Sequence, residues 1–285
     1  MILRIQEQTG ASTRSICRVL DLPRSSHYLA ARPSRRCIGD QQLGSVIQCL
    51  FKEHRSRYGY RRIYRELKGS DHLCGPNRVR RLMKEQSLKA SQPRGYRPCT
   101  SDGRADAPAP NLLLDQSPPQ HPNEVWVGDI TFIATQQGWR YLAVVMDLYS
   151  RKIIGWHLGK NLRSDLVCQA MNNALASRRL TTQKLIFHSD RGSQYGSRAF
   201  RGLLASNRIT QSMSRRANPY DNAWSESFIG TLKKELRKEQ SPANETQARI
   251  QLFEYIEGYY NTRRRHSALR YLSPNQYEHQ HSTNI

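Results

Sequence analysis

The chain has 285 residues, enough for one or two domains that each bury a core, and its 45 Lys+Arg against 23 Asp+Glu give a formal net charge of +22. That balance favours a polyanion partner, nucleic acid ahead of an acidic membrane, over a merely soluble basic protein. The six cysteines form no C-x-x-C pair, which argues against a zinc site and a disulfide framework, and no apolar run reaches the ~18–20 residues of a membrane helix.

The opening "MILRIQEQTG" is polar by its sixth residue and does not read as a signal peptide, so a reducing cytoplasm is the expected compartment. The charge lies forward: residues 1–100 hold 21 Lys+Arg and 7 Asp+Glu, residues 101–285 hold 24 and 16. "STRSICRVLDLPRSSHYLAAR" reads as helix–turn–helix. Ser12 or Thr13 caps its first helix, Ile16, Val19 and Leu20 give that helix an apolar face, and "DLPRSS" starts the second.

The theme repeats over residues 44–88. Val46, Ile47, Leu50 and Phe51 share one helical face, and Tyr60, Ile63, Tyr64 and Leu67 share another. "GPNRVRRLMKEQ" places Pro76 at a first helical position, buries Val79, Leu82 and Met83, and turns Asn77, Arg78, Arg81 and Lys84 outward. Such a face either reads a major groove or is a solvated basic surface. Residues 90–122 are rich in Pro, Gly, Ser and Asp and read as a linker, with "NLLLD" able to dock on a neighbour.

After Pro122 the texture changes. "NEVWVGDITFIA", "GWRYLAVVMDLYS" and "RKIIGWHL" read as three strands of an antiparallel meander. Helix, strand, helix, strand and helix follow, so a mixed α/β sheet flanked by helices is expected. The resulting division is 1–40, a helix–turn–helix segment; 41–90, a second such domain; 91–122, the linker; and 123–280, the sheet core with C-terminal helices.

Asp129 falls within the first strand, Asp190 ends "LIFHSD", and Glu226 lies on the helix "NAWSESFIGTLKKE". Taken singly these are a strand-edge acid, a turn former and a surface glutamate, just as Asp147 in "DLYSR" is turn chemistry. Strand ends and an overlying helix can also bring all three together. Clustered carboxylates repel and raise one another's pKa unless a cation neutralises them, and oxygen donors without cysteine suit Mg²⁺ or Mn²⁺. Trp224, Phe228, Leu232 and Leu236, with Ile229, make an apolar stripe on the helix. At ~100° per residue, Asn222, Glu226 and Lys233 share its margin.

Asp129 in "VGDIT", Asp190 in "HSDRGSQY" and Glu226, with 35 residues between the last two, resemble the DDE triad of retroviral-integrase-type transposases. Lys233, seven residues after the glutamate, fits as well. "RYGYRRIYREL" and the tail "YIEGYYNTRRRHSALRYLSPNQYE" resemble the insertion-sequence-three family, so the likeness runs from about residue 12 to 280. It implies an RNase H-like catalytic core (a five-stranded mixed sheet flanked by helices) behind small all-helical segments. It also implies two Mg²⁺ (or Mn²⁺) ions held by the triad, 3′-end strand cleavage and strand transfer. The implied partners are double-stranded DNA of element ends and target, copies of the chain in a synaptic complex, and an upstream-frame product or frameshift fusion. The implied location is the bacterial cytoplasm at the nucleoid, with no membrane role.

On this resemblance Lys233, Arg263, Arg264, Arg265 and His266 join Asn77, Arg78, Arg81 and Lys84 as DNA-contacting residues. His188, Gln194 and Asn222 either line the site or are structural hydrogen-bonders. An RNase H-like nuclease or resolvase without strand transfer is the alternative activity, and a DNA-binding regulator with an inactive core is the alternative outside enzymes.

Overall fold

The computed structural model describes residues 2–24, 35–90, 108–114, 116–178, 184–215, 219–236 and 240–282. They fall into two compact units, residues 1–90 and 91–285. Among the described residues no helix is long and apolar enough to cross a membrane.

The first unit is helical. Helices α1 (Ile2–Thr9) and α2 (Thr13–Val19) pack through Ile2, Ile5, Ala11, Ile16 and Cys17. Ser12 caps α2, its Oγ accepting from the Ser15 N–H at 3.2 Å. Among the described residues, α2 has the helix before it as its partner. Ile2 and Ile5, spaced by three, supply the contact, ahead of the polar run from Gln6 to Thr9. The helix expected after Pro23 lies outside the described residues.

Helices α3 (Arg35–Glu53), α4 (Tyr60–Gly69) and α5 (Pro76–Glu85) pack on one another. Ile47, Phe51, Ile63, Leu67, Val79, Leu82 and Met83 are buried in this unit, together with Tyr58. Val46 and Leu50, expected on the buried face of α3, are only partly covered, and Leu43 is buried instead. Pro76 opens α5 behind a Gly75 N-cap, where its missing N–H costs nothing.

The second unit is built on five strands: β1 (Val125–Thr135), β2 (Gly138–Asp147), β3 (Ile153–Gly159), β4 (Ile186–Ser189) and β5 (Thr210–Met213). Their order is β3-β2-β1-β4-β5, with β1, β2 and β3 antiparallel and β1, β4 and β5 parallel. Gly138, the first residue of β2, closes the hairpin turn at Gln136 and Gln137 with φ +101°, a conformation that disfavours any side chain.

Helices cover both faces, which is why the strands read as nearly continuous apolar runs. Under one face, α6 (Ser164–Ser177) and α8 (Arg198–Ser206) pack on Trp126, Val145 and Ile154. The approach is close: a Cβ at Gly155 would fall 2.3 Å from the Ala170 carbonyl. Between β4 and α8 runs the short helix α7 (Ser193–Gly196). The other face carries α9 (Ala223–Leu236) and α10 (Glu245–Tyr255), whose Phe228, Leu232, Leu252 and Tyr255 meet Val125, Val127, Val144 and Met146. A π-turn (Ile256–Tyr260) leads into the tail and its last helix, α11 (Pro274–Ser282).

The end of the expected linker is ordered. Pro110 accepts from the Met213 N–H at 3.2 Å, and the Leu112 N–H donates to Ser212 Oγ at 2.9 Å. Residues 110–112 thus line the outer edge of β5, where an exposed strand edge would otherwise invite mispairing. Residues 91–107 lie outside the described residues.

Candidate active site

Side chains alternate across a strand, so Asp129 points to the face that Val125 and Val127 present to α9. In the parallel ladder Val127 pairs with His188. Asp129 stands two residues beyond Val127, and Asp190 stands two beyond His188, so both acids leave the sheet at one depth. Asp190 holds the turn after β4, with Oδ1 accepting from the Gly192 N–H at 3.0 Å. Glu226 occupies the first turn of α9.

Phe228 and Leu232 seat α9 on the sheet. Just before the helix, Asn222 donates from Nδ2 to the Gly128 carbonyl at 3.4 Å, tying its start to β1 beside Asp129. Phe228 and Leu232 of the expected stripe are buried and Ile229 and Leu236 pack partly buried beside them, while Ser225 and Glu235 extend the buried face. Trp224 is half-buried, and Glu235 is only 3 % exposed.

The acids sense one another. Burial, then the charges of Asp190 and Glu226, push Asp129 up to about 8, while the Ile130 N–H and Lys233 pull it down. Asp129 keeps part of its surface open yet lies deep among protein atoms, so desolvation dominates. Burial followed by Asp190 also raises Glu226. The four residues that the sequence placed at one site, Asp129, Asp190, Glu226 and Lys233, are therefore electrostatic neighbours.

Among the described residues no three His, Cys, Asp or Glu side chains are arranged to hold one metal ion. The donor chemistry still suits a hard divalent cation. The acids offer oxygen alone, and their mutual repulsion is what a cation relieves. Buried polar atoms gather beside them: Tyr195 Oη, Asn222 Oδ1 and Ser225 Oγ find no hydrogen-bond partner among the described residues. Tyr195 Oη would stand 3.3 Å from a Cβ at Gly128.

Other expected residues have different places. His188 is buried between Ser212 Oγ (2.8 Å from Nδ1) and Ser214 Oγ (3.2 Å from Nε2), and burial lowers it to about 4. It is a neutral structural group. Gln194 donates to the Leu162 carbonyl at 3.3 Å. Asp147 accepts from the Asn123 and Tyr149 N–H groups, as turn chemistry requires.

On α5, Asn77 and Lys84 are exposed. Arg78 and Arg81 are half-exposed, and both bind Asp40 of α3, with Arg78 Nε 2.7 Å from Oδ1. Arg81 and then Arg78 hold that carboxyl below its usual range. Arg80 escaped the sequence reading. It is exposed, three residues from Asn77 and four from Lys84, and its guanidinium lies 5.8 Å from the Tyr60 ring. Arg263 is exposed, and Arg265 donates to the Tyr271 carbonyl at 3.0 Å.

Arg264 and His266 correct the expectation of a phosphate grip. Both are buried, and Arg264 is ion-paired with Glu235 at 2.9 Å, so neither side chain is open to DNA. A run of three arginines hides this, because the middle one turns inward.

Residues 119–219 and 207–274 each match an integrase core domain family, and residues 39–96 match an HTH-like domain family. With the sheet order above, these matches define an integrase-type, RNase H-like core preceded by a helix–turn–helix-like segment. The chain is 40 % identical over 261 residues to the insertion element IS600 uncharacterized 31 kDa protein of Shigella sonnei, covering 91 % of this chain and 96 % of that protein. It is 35 % identical over 277 residues to the transposase InsF for insertion sequence IS3A of Escherichia coli K12, covering 96 % of each. The HTLV-2 integrase catalytic core domain in complex with magnesium is 19 % identical, with a TM-score of 0.43, over 56 % of this chain and 99 % of that one. The chain belongs to the IS3-family transposases, DDE enzymes of bacterial insertion sequences.

Proposed function

We propose that Asp129, Asp190 and Glu226 are the catalytic carboxylates of this transposase, and that the reaction is 3′-end strand cleavage followed by strand transfer. The observation that carries this reading is the matched register of Asp129 and Asp190, with Glu226 laid over them by α9. The same three residues would hold a pair of Mg²⁺ or Mn²⁺ ions, which when bound supply an activated attacking oxygen and a stabilised leaving oxygen. The chain supplies the rest. Its acids hold oxygen donors at one end of the sheet, Asn222 fixes the start of α9 against β1, and Lys233 offers positive charge to a phosphate beside the carboxylates.

Double-stranded DNA is the partner that the charge and both matched domains favour. Residues 1–90 act as the DNA-binding unit, the division expected at residue 40 falling inside α3, with 91–122 as the connection and 123–280 as the catalytic core. Asn77, Arg78, Arg81 and Lys84, with Arg263 and Arg265, contact the backbone. Copies of the chain assemble on paired element ends, and an upstream-frame product or fusion contributes further recognition. The place of action is the cytoplasm, at the nucleoid.

Incubation of the full chain with DNA flanking its own gene and Mg²⁺, with products mapped by sequencing, tests the reading. Joined strands with a new 3′–5′ linkage are expected. Cleaved but never joined products would assign a nuclease or resolvase instead.

A further inference from the structure

Glu235 is nearly fully buried at the far end of α9, and it is held on both oxygens. Arg264 donates from Nε at 3.1 and 3.2 Å and from Nη2 at 2.9 Å, and Tyr255 donates its hydroxyl at 2.9 Å. Burial works against the guanidinium's charge, and Glu235 together with Tyr255 and Tyr260 more than offsets it. Arg264 also lies 5.7 Å from the Tyr260 ring, which itself packs edge-on against Phe228. Removing two charges from water is costly, and an apolar pair is often as stable or more so. The cluster therefore calls for an explanation other than stability.

Geometry supplies one. Glu235 follows Glu226 by nine residues, about 180° round the helix and roughly 13 Å along it. The clamp grips α9 from the side opposite Glu226. Apolar contacts such as Phe228 and Leu232 tolerate sliding and small rotations, whereas a multidentate ion pair has one geometry. A slip of a single residue would swing Glu226 by about 100°. We propose that the Glu235–Arg264 pair is a positioning clamp that fixes the rotation and axial register of α9, and so the aim of Glu226 and Lys233. This rests on the catalytic reading above.

The test uses the full-length chain. Glu235→Leu/Arg264→Met replaces the pair with apolar side chains and leaves no lone buried charge. Melting near the wild-type temperature, unchanged gel-shift affinity for element-end DNA, joining slowed at least tenfold and weakened Mn²⁺ binding are expected. A folded double variant that joins at the wild-type rate overturns the clamp. If that variant melts far below wild type, Arg264→Lys decides, because it keeps the charge and loses the planar fork. Slowed joining with an intact fold is then expected. Wild-type joining overturns the proposal, as does loss of fold in both variants, which would make the pair a stability element. Asp190→Asn run alongside separates the two ideas: wild-type joining by that variant removes the catalytic reading itself, whereas its inactivity leaves that reading standing whatever the clamp variants do.

Discussion

Asp129 on β1 and Asp190 in the turn just after the parallel β4 stand at matching depth, each two residues beyond the Val127–His188 pair. This relationship makes one site of residues 61 positions apart in the chain.

Asp190→Asn is expected to abolish cleavage and joining while sparing DNA binding. On the proposed reading the substitution removes an acidic ligand, whereas the basic helices that would carry affinity lie in the other unit. Gel shift and cleavage on one preparation check this. Unchanged cleavage would show that Asp190 is no metal ligand.

Lys233→Ala is expected to slow joining about tenfold to a hundredfold, since a charge-assisted contact contributes roughly 1.5–3 kcal/mol. Its side chain is exposed on α9, so the melting temperature should hold. Lys233→Arg should retain part of the rate. Joining at the wild-type rate by the alanine variant would make Lys233 a surface residue only.

DNA binding should respond in opposite senses to two changes in the helical unit. Lys84→Ala or Arg80→Ala should flatten the log–log salt slope by about 0.9 for each phosphate that is no longer neutralised. Asp40→Asn should steepen it and tighten binding, because Arg78 and Arg81 then lose the carboxylate that neutralises them. Titrations at several salt concentrations measure both. An Asp40 variant with weaker binding would show that its ion pairs shape the binding surface rather than mask it.

His188 sets an acid limit on the fold. Its folded pKa of about 4 lies below the ordinary 6.5, so the unfolded chain binds the extra proton. The stability it contributes is complete above pH ~6.5 and is lost as pH falls toward about 4, on the order of 3 kcal/mol in all. Thermal melts from pH 7 to 4 should show this decline, reduced in His188→Gln. An equal decline in that variant would place the acid sensitivity elsewhere.

Much of this was legible in the chain. Dense β-branched and aromatic runs marked β1, β2 and β3, and the turn in "DLYSR" marked their join. Proline and glycine bounded α4 and α5. The pairing of β1 with β4 was not legible, because a four-residue strand carries no register of its own. Nor was the inward turn of Arg264. A buried arginine and an exposed one look alike within "TRRRH", and what separates them is Glu235, 29 positions upstream. His188 stayed open between a site residue and a structural hydrogen-bonder for a similar reason, since its partners Ser212 and Ser214 come from the neighbouring strand β5 and the residues just after it. The helix α1 was missed because its apolar residues, Ile2, Leu3 and Ile5, all fall within the first four positions and set no repeat.

Mn²⁺ binding to the full chain, followed by electron paramagnetic resonance, tests the central claim most directly. Wild type is compared with Asp129→Asn, Asp190→Asn and Glu226→Gln. Each single variant should weaken binding strongly while its melting temperature stays at or above that of wild type, because neutralising one acid relieves the repulsion that adds to burial in raising Asp129. Wild-type Mn²⁺ binding in any of the three would contradict a shared carboxylate site.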